Sequence, residues 1–162
     1  MSFPRYPKYK PSGVEWLGDM PENWDLLKVK TLTSRISSGK TPSGGSTVYA
    51  DEGVLFLRSQ NVYDEGLRLD DVVHIPNEID EEMAASRIIP KDILLNITGA
   101  SIGRSSVVPD GFPKANVNQH VCAIRLTDQS KVDFVGWLFK SKLAKDQYDY
   151  VQNGAAREGL NF

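Results

Sequence analysis

Between residues 133 and 150, Phe134, Val135, Leu138, Phe139 and Leu143 recur at helical spacing, with Lys140, Lys142 and Lys145 on or beside the other face. No other stretch constrains the fold as much. Upstream, the apolar runs are short and are cut by clusters of Gly, Pro, Ser and Asn, which separate strands. Residues 54–58, 92–98 (DILLNIT), 105–108 and 118–126 read as strands, and 67–75 as a strand or edge segment. In residues 118–126, Val121, Ala123 and Arg125 alternate with Cys122, Ile124 and Leu126, the pattern of a half-buried strand. Residues 24–36 read as a short strand and then one helical turn. Residues 80–86 have the composition of a short helix with Asp80 as its N-cap. Residues 1–23, punctuated by Pro4, Pro7, Pro11, Gly13, Gly18 and Pro21, read as an extended N-terminal arm. One turn near residues 14–17 and the side chains of Trp16 and Trp24 would anchor it. Residues 24–162 then form an α+β domain: a twisted, mainly antiparallel β-sheet with short helices and one longer C-terminal helix that Gly154 ends.

At 162 residues the chain can bury a core without staples, and its 40% apolar and 25% charged residues are those of a globular domain. Cys122 is the sole cysteine, so no internal disulfide forms and a reducing, cytoplasmic setting is expected. No apolar run reaches the length of a membrane span, and residues 1–13 hold no apolar signal core. The net charge of −2 argues at first against nucleic acid, but its distribution is uneven. Residues 1–50 carry +3, residues 51–92 carry −7 and residues 93–162 carry +2. A neutral to basic face is therefore available if the acidic residues 64–92 point elsewhere. Charge permits DNA binding without arguing for it.

Catalytic and cofactor motifs fail one by one. Gly39-Lys40-Thr41 has the end of a phosphate-binding loop, but Ser34 stands where that motif needs glycine, and Pro42-Ser43-Gly44-Gly45 follows where it needs a helix. His74, His120 and Cys122 lack paired metal-ligand spacing. His74 reads as a surface residue and His120 as a strand residue satisfied by its neighbours. There is no nucleophile elbow, and Cys122 in mid-strand reads as a buried, inert thiol. No lysine has Asp or Glu two places before it, as a metal-dependent nuclease often shows, and no dinucleotide-type glycine fingerprint is present. The run Asp80-Glu81-Glu82 reads as a solvated helix start. No cofactor, no metal and no catalytic centre are expected.

Polar loops hung on strands remain. Lys40 and Thr41, then Arg58, Ser59, Gln60 and Asn61, then Thr98, Ser101 and Arg104, and finally Asn118 and Gln119 are residue types that meet phosphates or read base edges. Gly, Ser and Asn are equally the ordinary residues of turns, so composition alone leaves the choice open. Arg58 has the alternative of packing its stem on the sheet and pairing with an acidic neighbour. Asn118 and Gln119 have the alternative of satisfying buried backbone.

The order of these loops resembles a known family. Tyr9-Lys10-Pro11-Ser12-Gly13-Val14-Glu15-Trp16-Leu17-Gly18 and Met20-Pro21-Glu22-Asn23-Trp24 resemble the start of type I restriction–modification specificity subunits. Gly39–Pro42, residues 54–62 (VLFLRSQNV), 92–104 (DILLNITGASIGR), 116–120 (NVNQH) and 153–162 (NGAAREGLNF) resemble further blocks of that family in the same order. The resemblance implies a non-catalytic target-recognition domain that reads one half of a bipartite sequence in double-stranded DNA. It implies as partners the methyltransferase subunit, which methylates adenine N6 from S-adenosylmethionine, and a separate motor–nuclease restriction subunit. It implies no membrane association. The family's full subunit is about twice as long or more, with two recognition domains and long spacer helices. One recognition domain is expected here, without the spacer helix, and hence weak methyltransferase assembly. Two other readings stay open: a protein-interaction fragment that modulates a methyltransferase without reading DNA, and a detached recognition domain of a fused restriction–methyltransferase enzyme.

Overall fold

The central strands bury both of their faces, and this arranges the molecule in layers. The computed structural model describes residues 4–153 and 159–160. In chain order the strands are β1 (Tyr9–Pro11), β2 (Asp19–Pro21), β3 (Thr33–Ser38), β4 (Val54–Leu57), β5 (Val62–Tyr63), β6 (Gly66–Leu67), β7 (Val73–Ile75), β8 (Arg87–Ile88), β9 (Ile93–Asn96), β10 (Ser105–Val107), β11 (Ala115–Val117) and β12 (Val121–Leu126). The helices are α1 (Asn77–Glu82), α2 (Val132–Lys140) and α3 (Lys142–Asn153). One four-stranded sheet, ordered β10-β9-β12-β3, is antiparallel throughout. A second, ordered β7-β4-β11-β8, is antiparallel except for the parallel pair β4–β11. Two hairpins, β1–β2 and β5–β6, complete the strands. The class expected from the sequence, α+β with mainly antiparallel strands, holds; the strands expected in one sheet form two four-stranded sheets and two two-stranded ones.

Strand alternation explains the layering. Ile93, Leu95, Cys122, Ile124 and Leu126 face Val132, Val135, Phe139 and Tyr148 of α2 and α3. On the other side of the same strands, Leu94, Val121 and Ala123 pack with Leu57, Ala115 and Val117 of the second sheet. The far face of that sheet carries Val54, Phe56 and Ile75, which meet Met83 just after α1. The alternation read in residues 118–126 is therefore real, but both faces are buried, because a helix layer covers one and a sheet covers the other.

Other elements depart from the expected positions. The N-terminal arm is a hairpin, with Tyr9 opposite Pro21 and Lys10 opposite Met20. Met20 is its buried residue, whereas Trp24 is 51% exposed and makes an edge contact to Tyr6, so Trp24 does not anchor the arm. Residues 29–36 run in the reverse of the expected order, a 3-10 turn at Val29–Leu32 and then β3. The segment read as residues 67–75 is two strand pieces, β6 and β7, separated by a turn. The short helix starts at Asn77, with Pro76 before it, so Asp80 is inside the helix. Its side chain is fully buried and accepts from Arg87, Lys114 and Asn116. Burial raises the pKa of this carboxyl, and the hydrogen bonds from Arg87 and Lys114 more than offset that, holding it below the usual carboxylate range. Asp80 is therefore a buried ion-pair centre, and the solvated helix start expected at this run fails for it.

The C-terminal helical stretch breaks at Ser141. Its ψ of 158° ends α2, its hydroxyl donates to Leu138 O at 2.6 Å, and the Ala144 amide donates back to it at 3.5 Å. The buried face also differs from the expected one. Val132, Val135, Gly136 and Phe139 point inward, and Phe134 is 66% exposed. Gly136 lets α2 approach Val107 closely on this face, since a Cβ there would stand 2.5 Å from Val107 Cγ2. Residues 154–158, including the expected stop at Gly154, and most of the 153–162 block lie outside the described residues.

Candidate nucleic-acid interface

Three turns leave the ends of β4, β9 and β11 on the same side, and buried amides tie them together. The first, a 3-10 turn at Ser59–Asn61, closes when Asn61 Oδ1 accepts from the Arg58 amide at 2.9 Å. Asn61 is fully buried, and its Nδ2 donates to Arg68 O and Asp71 Oδ1. The second turn, residues 98–104, holds glycines at φ +74° (Gly99) and +80° (Gly103), where other residues would be strained. The third, residues 118–120, closes when Asn118 Oδ1 accepts from the His120 amide at 3.1 Å. Asn96, fully buried at the end of β9, donates through Nδ2 to Ser59 O (2.8 Å) and Ser101 Oγ (3.0 Å), cross-linking the first two turns.

Between the turns lies a concavity of about 440 Å³ lined by Ser59, Gln60, Tyr63, Thr98, Gly99, Ala100, Ser101, Arg104 and His120. Five of the residues singled out from the sequence, Ser59, Gln60, Thr98, Ser101 and Arg104, are therefore brought together. A polar chain joins a fourth loop to them. Thr41 Oγ1 donates to Gln119 Oε1, Gln119 Nε2 meets His120 Nε2 at 3.0 Å, and His120 Nδ1 meets Thr98 Oγ1 at 2.5 Å. With the Gln119 amide so oriented, the tautomer with its proton on Nδ1 satisfies both contacts of His120. Thr41, Lys40 beside it, and Gln119 are all exposed.

Three of the singled-out residues sit behind this surface. Arg58 donates to Asp71 O at 2.6 Å and stands 3.8 Å from its carboxylate, the acidic pairing weighed as its alternative. Asn61 and Asn118 are buried and spend their side chains on turn closure. Tyr63 and His120 line the concavity, and Asn96 braces it, yet the loop chemistry did not single out any of the three. His120 reads from sequence as a strand residue satisfied by its neighbours; it does meet Thr98 and Gln119, but from the turn before β12 rather than from a strand. Asn96 sits inside the apolar run ILLNI. Nothing local marks it.

The electrostatics of the site follow from pairing. The Arg104 guanidinium lies 4.7 Å from the Tyr63 ring centre and that of Arg68 lies 3.7 Å from it. Among the described residues, no carboxylate pairs with Arg104. The acidic segment does not wholly point away, as the charge distribution had suggested. Asp71 and Asp64 adjoin the site, the first engaged by Arg58, Gln60 and Asn61, the second by Lys145 and the Ser105 amide. Both acids are held by donors, and at this site Arg104 and Lys40 have no acidic partner among the described residues. The Cys122 thiol is buried, and that burial pushes its pKa up to about 12. Among the described residues, no group of three or more His, Cys, Asp or Glu could hold a metal ion, and no helix is long and apolar enough to cross a membrane.

No family model and no curated protein matches the sequence. Eight chains of solved structures match the fold. They include a chain from a type I R-M system whose complex assembly and conformational transition were described, at 18% identity and a TM-score of 0.54 over 79% of this chain. The HsdS subunit from Thermoanaerobacter tengcongensis matches at 15% identity and a TM-score of 0.52 over 81%. This chain spans 30% of the length of each. The fold is thus one found in type I restriction–modification systems, and in their HsdS subunit in particular.

Proposed function

We propose that this chain reads one half of a bipartite double-stranded DNA target, as the specificity component of a type I restriction–modification complex. The observation that carries the reading is the convergence of Ser59, Gln60, Thr98, Ser101 and Arg104 from two turns into one concave surface, on a fold shared with HsdS. Arg104 lacks an acidic partner among the described residues and can present its fork to guanine O6 and N7; Gln60 and Gln119 can pair with adenine. Lys40, Thr41 and the backbone amides near Gly99 meet phosphate and set the register. Asn61, Asn96, Asn118 and Arg58 hold the turns in place, and Ser59, Ser101 and Thr98 supply short donors and acceptors.

The chain acts without catalysis or cofactor, in the cytoplasm, and hands its sequence choice to methyltransferase and restriction subunits. With Arg104 and Lys40 as the cations at this surface that have no acidic partner among the described residues, few phosphates are neutralised, so binding by this single domain is weak and its salt slope, about 0.9 per phosphate contacted, is shallow. Selection from a random duplex pool tests the reading. Enrichment of one short motif is expected; a pool that stays unenriched through successive rounds, while the protein remains folded, refutes it.

A further inference from the structure

Helix α3 holds the turn that carries Arg104 from behind. A Cβ at Gly103 would come within 2.7 Å of Tyr148 Cδ2, so the turn rests directly on the ring of a residue only 9% exposed. One helical turn earlier on the same face, Lys145 donates to the Gly103 carbonyl and, at 3.0 Å, to Asp64 Oδ2. Asp64 Oδ1 in turn accepts from the Ser105 amide at 2.8 Å. The carbonyl before Arg104 and the amide after it are thus tied to one Lys145–Asp64 pair. Both side chains are about one-third exposed (32% and 36%), so the pair contributes little to global stability as an ion pair. What it does fix is the backbone from which the Arg104 side chain leaves toward Tyr63.

We propose that Lys145 is a positioning residue for DNA reading: through Asp64 and the two peptide groups it sets the aim of Arg104, so that α3 governs affinity for the preferred sequence without touching DNA. This rests on the site reading given above.

The test is a double-mutant cycle on the full chain, using the duplex recovered by pool selection and a scrambled duplex of equal length. Fluorescence anisotropy at several salt concentrations compares wild type, Arg104→Ala, Lys145→Met and the double variant, with melting temperatures recorded alongside. Lys145→Met is expected to weaken the preferred duplex about tenfold, with little further loss when Arg104→Ala is added, the non-additivity of residues acting as one unit. Affinity for the scrambled duplex and the salt slope stay unchanged, Lys145→Arg restores most of the loss, and the melting temperature moves little. Additive losses overturn the positioning role, as does a salt slope lowered by about one, which would make Lys145 a phosphate contact. If Arg104→Ala weakens the preferred duplex and Lys145→Met does not, the positioning role alone falls. If Arg104→Ala is silent, or no preferred duplex exists, the site reading fails and this inference with it.

Discussion

Replacing Gly39 by alanine probes the crossing on which the interface is built. Gly39 follows β3 where the chain passes over the ends of β11 and β12, with its amide on Val121 O (2.9 Å) and the Lys40 amide on Val117 O (3.1 Å). An added Cβ would lie 1.9 Å from Val117 O, 2.4 Å from Val117 C and 2.5 Å from Asn118 O, all backbone atoms that no rotamer change can move. Reaching ordinary contact requires a shift of roughly 1.5 Å, enough to lose one or both hydrogen bonds. Overpacking of this kind costs about 1–3 kcal/mol, and each lost hydrogen bond about 0.5–1.5 kcal/mol, for a total of about 1.5–6 kcal/mol. For a chain of this size that lowers the melting temperature by about 10 °C. The same shift draws Thr41 away from Gln119, so affinity for a selected duplex falls as well. Gly45→Ala is the control. Gly45 sits at φ +59° with open space around it and carries only the left-handed backbone penalty, about 1 kcal/mol. Thermal unfolding followed by circular dichroism reads both. A Gly39→Ala protein that melts at the wild-type temperature and binds DNA normally would refute the reasoning.

Asp80→Asn should destabilise the fold by about 1–3 kcal/mol, because it weakens the charge-assisted hydrogen bonds that a buried carboxylate accepts from Arg87, Lys114 and Asn116, while Glu81 still pairs with both cations. The folded pKa of Asp80 lies below the unfolded value, so the stability it contributes is complete above about pH 4 and is lost as pH falls further. Urea titrations at pH 7, 5 and 3 should show the same gap between wild type and variant at pH 7 and 5 and a narrower one at pH 3; a constant gap would contradict this. The Cys122 thiol, with its pKa raised to about 12, should resist a thiol reagent at pH 8 until the protein is unfolded. Stoichiometric labelling of the native protein within minutes would show that the β12 interior opens readily. Trp137→Lys, at a site 67% exposed on α2, should change stability by no more than about 0.5 kcal/mol in the same urea assay, and a larger loss would mean that the exposed face of α2 packs against the fold.

The features legible from sequence were those set by local chemistry. The apolar runs of β4 and β9, the glycines at 99 and 103 and the inert thiol at 122 each carry their reason within a few residues. Misplaced features depend on partners distant in sequence. Asp80 reads as a surface N-cap until Lys114 and Asn116, more than thirty residues on, come to meet it. Phe134 reads as core until the face of α2 that carries Gly136 is seen against Val107, which leaves Phe134 exposed. The three-residue strand β11, with Asn116 buried at its centre, has no periodicity to detect. The site divided the same way: composition found the turns, but only the fold separates residues that face outward from Asn61 and Asn118, which hold the turns shut. Asn96, inside the apolar β9, could be recognised only once Ser59 and Ser101 were seen on either side of it.

Parallel selections from one random duplex pool, using the wild-type chain and Arg104→Ala, test the central claim most directly. If the concave surface reads DNA through Arg104, the wild type enriches a short motif. The variant then enriches the same motif relaxed at one base pair and binds the original about 1–3 kcal/mol more weakly. An identical motif bound with identical affinity by both proteins would contradict the assignment of reading to this surface.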